Sequence, residues 1–463
     1  MKLPRILLAA VLGFASISSA WAQEGPRKPI GPVTVAGIKT TFIYLGSGIP
    51  AVLYEPTTPG PKAQIGVLVM HTGADYLTHS ACTELSTRGY RVLCENTSGD
   101  KSGTFDTGRL DGSILEASQG VKFLRGYPGI KKVVLWGHSG GGTLMTAYQS
   151  IAENGVKVCQ DAQKIHKCPD TLAGLPVADG VILGDTNIGL GTITLLSVDP
   201  AVIDNSSGLE LNPALDMYNP QNGYKADGTT TYSAEFRRKF FKAEAERNNA
   251  IIKLAEERLA AIKAGKGQFK DDEPFIIPGG YIGNNRLLSM DLSMMSTSRK
   301  AWPLVHADGS VTNEIIPGRR VARPTENPTA FYRRGAIKTT VQGFLTSYAI
   351  RADVDTYGYG ADYIRGVQWT STYASPPGNV QSIISPVLLL GMTGGYEGWA
   401  SETIYELSRS NDKELAFIDG ATHGYATCKP CEKTPGQFGD TVKTTYDYAD
   451  KWLSKPGRFL QVL

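Results

Sequence analysis

Residues 133–142 read "VVLWGHSGGG". Four apolar residues run straight into a Gly-His-Ser-Gly-Gly-Gly cluster, and a second apolar, small-residue run, "TLMTAYQSI" (143–151), follows. A tight turn from strand to helix strains its central residue and needs neighbours without bulk. Gly137 and Gly141 flank Ser139 as Gly-x-Ser-x-Gly, with the strand-like "KKVVLW" (131–136) before them. Such a corner lifts the Ser139 hydroxyl clear of the sheet's carboxyl edge. It also leaves the Gly140 N–H at a helix start, where it can receive negative charge.

Outward from this corner the pattern repeats. "IGVLVM" (65–70), "YRVLC" (90–94) and "DGVILG" (179–184) are short apolar runs without alternation, as strands buried on both faces require. Helical stretches, "THSACTELSTRG" and "DGSILEASQGVKFLRG", separate them. Ahead of them, "TFIYL" and "AVLYEP" read as strands joined by the turn "GSGIP". Strands alternating with helices imply right-handed crossovers and a mostly parallel central sheet with helices on both faces, an α/β fold.

The rhythm stops near residue 187. It resumes at "ISPVLLLG" (384–391) and "ELAFIDG" (414–420), followed by a helix with Val442, Tyr446, Ala449, Trp452 and Leu453 on one face. Between them the sequence predicts a charged helix from about Ser233 to Ala264, stopped by Gly265, with Phe240, Phe241, Ile251, Leu254, Leu259 and Ile262 as its buried stripe. An aromatic-dense stretch, residues 357–379, comes later. The expected organisation is a leader (1–22), a first core segment (23–186), an inserted, mainly helical or irregular cap (187–383) and a second core segment (384–463).

On the elbow and its flanking elements, the chain resembles the α/β-hydrolase superfamily of serine esterases and lipases, over roughly residues 40–186 and 384–456. For the inserted cap no family resemblance is recognised. The resemblance implies a nucleophilic Ser139, with His423 in "ELAFIDGATHGY" as the base that takes its proton. It also implies a carboxylate to orient the imidazole. The loop after "PVLLL", "GMTGGYEGWASE", contains no aspartate, so Glu397 is preferred, with Asp185 in "VILGDTN" and Glu402 as alternatives. The oxyanion donors implied are the amide of Gly140 and that of Thr72 or Gly73 in "HTGADYLTH", with the His71 ring lying under the loop. His138, Tyr396 and Trp399 are the candidate substrate contacts, and aromatic residues of the cap, Tyr357, Tyr359, Tyr363, Trp369 and Tyr373, hint at a bulky apolar or aromatic group.

The chain has 463 residues, 41% hydrophobic and 20% charged, with a formal net charge of +3. Nothing in that balance points to nucleic acid or an anionic membrane. "MKLPR", an apolar stretch, and small residues before Gln23 together read as a secretory signal ending at Ala22. Export, to periplasm or exterior, is therefore expected. Six cysteines in an exported chain favour disulfides, and the local pairs Cys82–Cys94, Cys159–Cys168 and Cys428–Cys431 are preferred. Two sulfurs and the one imidazole of His166 fall short of a zinc set, and "CKPC" lies outside a thioredoxin-type strand-to-helix junction.

The expectation is hydrolysis of a small-molecule carboxylic ester through a Ser-His-acid triad and an acyl-enzyme, without metal or organic cofactor. Two rivals use the same fold: a serine peptidase or amidase, and a binding protein without turnover.

Overall fold

The computed structural model describes residues 35–46, 48–99, 109–280, 287–322 and 335–460. The expected leader, 1–22, lies outside the described residues.

The first core segment lays down β1 (Ile38–Leu45), β2 (Ile49–Pro56), β3 (Ile65–Met70), β4 (Arg91–Glu95), β5 (Lys132–Ser139) and β6 (Gly180–Thr186). Helices α1 (Ser80–Thr87), α2 (Leu110–Gly126) and α3 (Gly140–Asn154) follow β3, β4 and β5 in turn. β3 pairs parallel with both β4 and β5, so each helix makes a crossover, while β1 and β2 add an antiparallel edge.

Every residue of β3 and of β6 is buried, because both sheet faces are covered. Alternate residues go to opposite cores. Leu68, Met70, Leu135 and Leu183 meet Leu124, Leu144 and Ile151 of α2 and α3. Val67, Val69, Trp136 and Ile182 meet Ala81 and Leu85 of α1 and the C-terminal helix Thr441–Leu453. That last helix buries Tyr446, Ala449, Trp452 and Leu453 of its predicted face, while Val442 at its start is half-buried. Burying each such side chain contributes roughly 1.5–3 kcal/mol, and a strand with two dry faces needs an unbroken apolar run to gain it twice.

In the insertion, α4 (Leu190–Leu195) comes first, then α5 (Ala234–Lys263), whose N-cap Ser233 accepts a hydrogen bond from the Phe236 amide. Five of the six expected stripe residues are buried. Leu254 is the exception, at 46% exposure. At about 100° per residue it turns away from the face carrying Ala255 and Leu259; Ile252 and Ala255 are buried in its stead.

β7 (Pro274–Pro278) precedes a hairpin of β8 (Thr297–Val305) and β9 (Val311–Pro317), and then β10 (Ala336–Thr340) pairs antiparallel with β7. β11 (Gly358–Tyr359) and β12 (Ile364–Arg365) form a short ribbon. The chain returns to the sheet with β13 (Val387–Met392) and β14 (Lys413–Ile418).

The central sheet has ten strands in the order β1-β2-β4-β3-β5-β6-β13-β14-β8-β9. β8 lies parallel to β14, with Leu304 beside Phe417 and Val305 beside Ile418. The stretch expected as a cap, 187–383, thus also supplies two strands of the main sheet. All three expected disulfides are formed.

Candidate active site

β5 ends at Ser139 and α3 begins at Gly140, so the corner is a single residue wide. Ser139 has φ 53° and ψ −128°, one of four described non-glycine residues with positive φ. The glycines answer to crowding. A Cβ on Gly137 would stand 2.7 Å from Gly142 Cα, one on Gly141 2.5 Å from the Met70 carbonyl, and one on Gly142 1.2 Å from Thr186 Oγ1. That threonine hydroxyl donates to the Ser139 carbonyl at 3.0 Å, and the Asn187 amide donates to the same oxygen at 3.3 Å. The end of β6 therefore braces the elbow.

β6 also delivers Asp185, fully buried and likewise at positive φ, 43°. Beyond β14 the chain turns at Gly420, and a bridge between Ala421 and Thr427 closes the loop that carries His423. His423 Nδ1 lies 2.7 Å from Asp185 Oδ2, while Asp185 Oδ1 accepts the Met392 amide at 2.9 Å. A serine at a strained strand-to-helix corner, a buried aspartate from the next strand and a histidine beyond the last parallel strand converge on one end of the sheet.

By fold the chain is an α/β protein, with a mostly parallel central sheet and helices on both faces.

No protein-family model and no curated protein matches it. Solved structures that align with it include the α/β hydrolase GrgF from Penicillium sp. sh18, at 12% identity over 91% of this chain and 99% of the other, TM-score 0.40. Carboxyl esterase 2 from the mycorrhizal fungus Tuber melanosporum aligns at 9% identity over 93% and 90%, TM-score 0.39. A hormone-sensitive lipase from a metagenome library aligns at 12% identity over 91% and 86%, TM-score 0.38.

The candidate site departs from expectation at its acid. Glu397, preferred on sequence, approaches His423 Nδ1 with Oε2 only to 3.7 Å, and no hydrogen bond satisfies that oxygen. Asp185 holds the hydrogen bond because β6 ends directly beneath the imidazole, whereas Glu397 sits at the start of the helix Gly398–Leu407. Glu402 is further round that helix and faces elsewhere, accepting the Arg299 and Lys300 amides and Trp302 Nε1.

Two carboxylates around one imidazole set its charge. Burial disfavours the His423 cation, but Glu397 and then Asp185 outweigh it and lift the pKa from 6.5 to about 9. Burial pushes Asp185 up to about 6 against the pull of the His423 hydrogen bond. Donor atoms of Asp185, Glu397 and His423 all lie within 4.8 Å of one another, so these three are also the described residues that could hold a metal ion.

His138, a candidate substrate contact on sequence, has both ring nitrogens engaged in hydrogen bonds. Its Nε2 donates to the His423 carbonyl at 2.7 Å, and Nδ1 accepts from the Tyr76 hydroxyl. Burial, with His423 and His79 nearby, holds its pKa well below the usual value, so this ring stays neutral and ties the elbow to the histidine loop. Among the described residues no hydrogen bond joins Ser139 Oγ to His423, a looseness common before substrate arrives. The His138 clamp keeps the two loops together, its ring centroid 4.6 Å from that of His423.

The Gly73 amide, expected in the oxyanion hole, donates instead to His71 Nδ1 at 3.0 Å. The Gly140 amide points at His71 Nε2, 3.1 Å away. Thr72 Oγ1 adjoins the same spot, 2.8 Å from where a Gly140 Cβ would lie. Tyr396 and Trp399 are half-buried on the side of the site that meets the aromatic core of the insertion. Tyr357, Tyr359 and Tyr373 are buried core residues, Trp369 is half-buried against them, and Tyr363 is 38% exposed. Sequence reasoning missed the bracing by Thr186 and Asn187, although both directly follow the aspartate in "GDTN".

Proposed function

We propose that the chain is an exported serine hydrolase that cleaves a carboxylic ester by way of an acyl-enzyme. The observation that carries this reading is the 2.7 Å contact between His423 and Asp185 beside a serine held at φ 53°. A strained serine at residue 139 and a buried acid at residue 185 both cost stability, so neither is explained by packing alone. In this scheme Ser139 Oγ attacks the carbonyl carbon while His423 takes the hydroxyl proton. Asp185 steadies the imidazolium formed. His423 then gives the proton to the departing alkoxide, and water, deprotonated the same way, releases the acid and frees Ser139.

Export is supported by the basic and apolar leader pattern and by three disulfides. No described helix is long and apolar enough to cross a membrane. Both His138 ring nitrogens are hydrogen-bonded and Tyr357, Tyr359 and Tyr373 are in core, so the half-buried Tyr396 and Trp399 are assigned to contact a bulky acyl or alcohol group.

The test is labelling by a fluorophosphonate probe alongside p-nitrophenyl ester and peptide panels. Labelling that disappears in Ser139→Ala, with esters cleaved faster than amides, is the expected result. Amides cleaved as fast as esters would move the assignment to a peptidase or amidase. Absence of both labelling and turnover in folded protein would leave a binding protein.

A further inference from the structure

We infer that Tyr76 is a positioning residue for the candidate base His423, acting through the His138 ring that lies between them. This rests on the serine-hydrolase reading. Among the described residues the His423 backbone makes one hydrogen bond, the 2.7 Å contact of its carbonyl with His138 Nε2. Its neighbours are tied separately: the Thr422 amide donates to the Ala426 carbonyl, and the Tyr425 amide to the Thr422 carbonyl. Where the imidazole stands relative to Ser139 therefore depends on His138.

What His138 can do depends in turn on its tautomer. A carbonyl oxygen only accepts, so Nε2 must carry a hydrogen. The ring is buried and neutral, which leaves a lone pair on Nδ1. The Tyr76 hydroxyl beside Nδ1 is then the donor. It favours the one tautomer that can hold His423. In the other, Nε2 would turn a lone pair on the carbonyl oxygen and the two would repel.

Tyr76 is itself placed from two sides. Its ring is stacked between those of His71 and His79, with centroids 4.7 and 4.4 Å away. Its amide donates to Asn96 Oδ1 at 2.8 Å, and Asn96 Nδ2 donates to Asp75 Oδ1 at 2.7 Å, which fastens this turn beyond the end of β4. The loop after β3, the elbow and the loop after β14 thus share one line of hydrogen bonds that ends at the base. Tyr76 acts on the alignment of base and nucleophile, so it bears on kcat more than on substrate binding.

The experiment compares Tyr76→Phe, His138→Gln and the double variant with the parent, by 15N NMR of the full-length protein and by kinetics on a p-nitrophenyl ester. Phenylalanine keeps the stacked ring and removes the hydroxyl alone. The expected parent spectrum has a neutral His138 with its proton on Nε2, and the Nδ1 resonance moves in Tyr76→Phe as its donor is lost. Tyr76→Phe is expected to lower kcat about tenfold, the scale of one hydrogen bond, with KM changed by about threefold or less. A glutamine amide can donate to the His423 carbonyl whether or not Tyr76 has its hydroxyl. In the His138→Gln background, removing that hydroxyl should therefore change kcat by less than about twofold. A parent proton on Nδ1 would overturn the inference, as would Tyr76→Phe with kcat within about twofold of the parent, or losses that simply multiply in the double variant. If the parent itself is neither labelled by fluorophosphonate nor active, the hydrolase reading fails first, and the role given to Tyr76 fails with it whatever the tautomer.

Discussion

Replacing Glu397 with glutamine separates the two carboxylates at His423. The amide keeps the shape and removes the charge that stands 3.7 Å from Nδ1. Two unit charges at that distance interact by about 4.5 kcal/mol at an effective dielectric of about 20. The His423 side chain is 35% exposed, so water screens the pair and roughly 2 kcal/mol is the sounder figure, equal to ~1.5 pH units. The sign follows from which form works. Only neutral His423 can take the serine proton, and the carboxylates favour the cation, so activity in the parent rises through a limb near pH 9. Glu397→Gln should move that limb toward neutrality, to about pH 7.5, and raise kcat/KM at pH 7 roughly twentyfold, the ratio of neutral fractions. The assay is a pH–rate profile of kcat/KM with an ester whose leaving group is followed at its isosbestic wavelength. An unmoved limb would show that Glu397 does not govern the base. A collapse of activity at every pH would make Glu397 the orienting acid and refute the role given to Asp185.

Asp185→Asn should lower kcat by about 10⁴, because the amide disfavours the imidazolium and the working tautomer; a stopped assay on folded protein measures it. Glu402→Gln should leave kcat and KM unchanged while costing about 1–3 kcal/mol of stability in a denaturant melt, since it loses a buried charge that accepts the Arg299 and Lys300 amides and Trp302 Nε1. Gly142→Ala should destabilise by about 3 kcal/mol or more and abolish fluorophosphonate labelling, because the added methyl falls 1.2 Å from the Thr186 hydroxyl that braces Ser139.

Parts of this molecule announce themselves in the sequence because their environment leaves little choice. β3 and β6 must be apolar throughout, since both faces are dry. The elbow glycines are demanded by contacts too close for a side chain, and His423 stands out by its place after the last parallel strand. The acid is different. Asp185 and Glu397 both reach the imidazole, and which one bonds depends on the local path at the end of β6, where φ at Asp185 turns positive. No pattern in "GDTN" encodes that turn. The β8–β9 hairpin was equally hidden. "TSRKAWPLV" is half-exposed, carries two cations and a proline, and pairs with β14 at only its last two residues, so it lacks the signature of the buried strands.

That hairpin has a practical corollary for anyone wishing to strip the protein to a minimal scaffold. Excising residues 187–383 as a module would remove β8 and bare the outer margin of β14, where Phe417 and Ile418 now have neighbours. An unguarded margin of that kind recruits other chains. A shortened version that retains 297–317 should keep the parent's association state on a sizing column, and one that drops it should self-associate further. The roof over this sheet is stitched into its border, and it is not a detachable hatch.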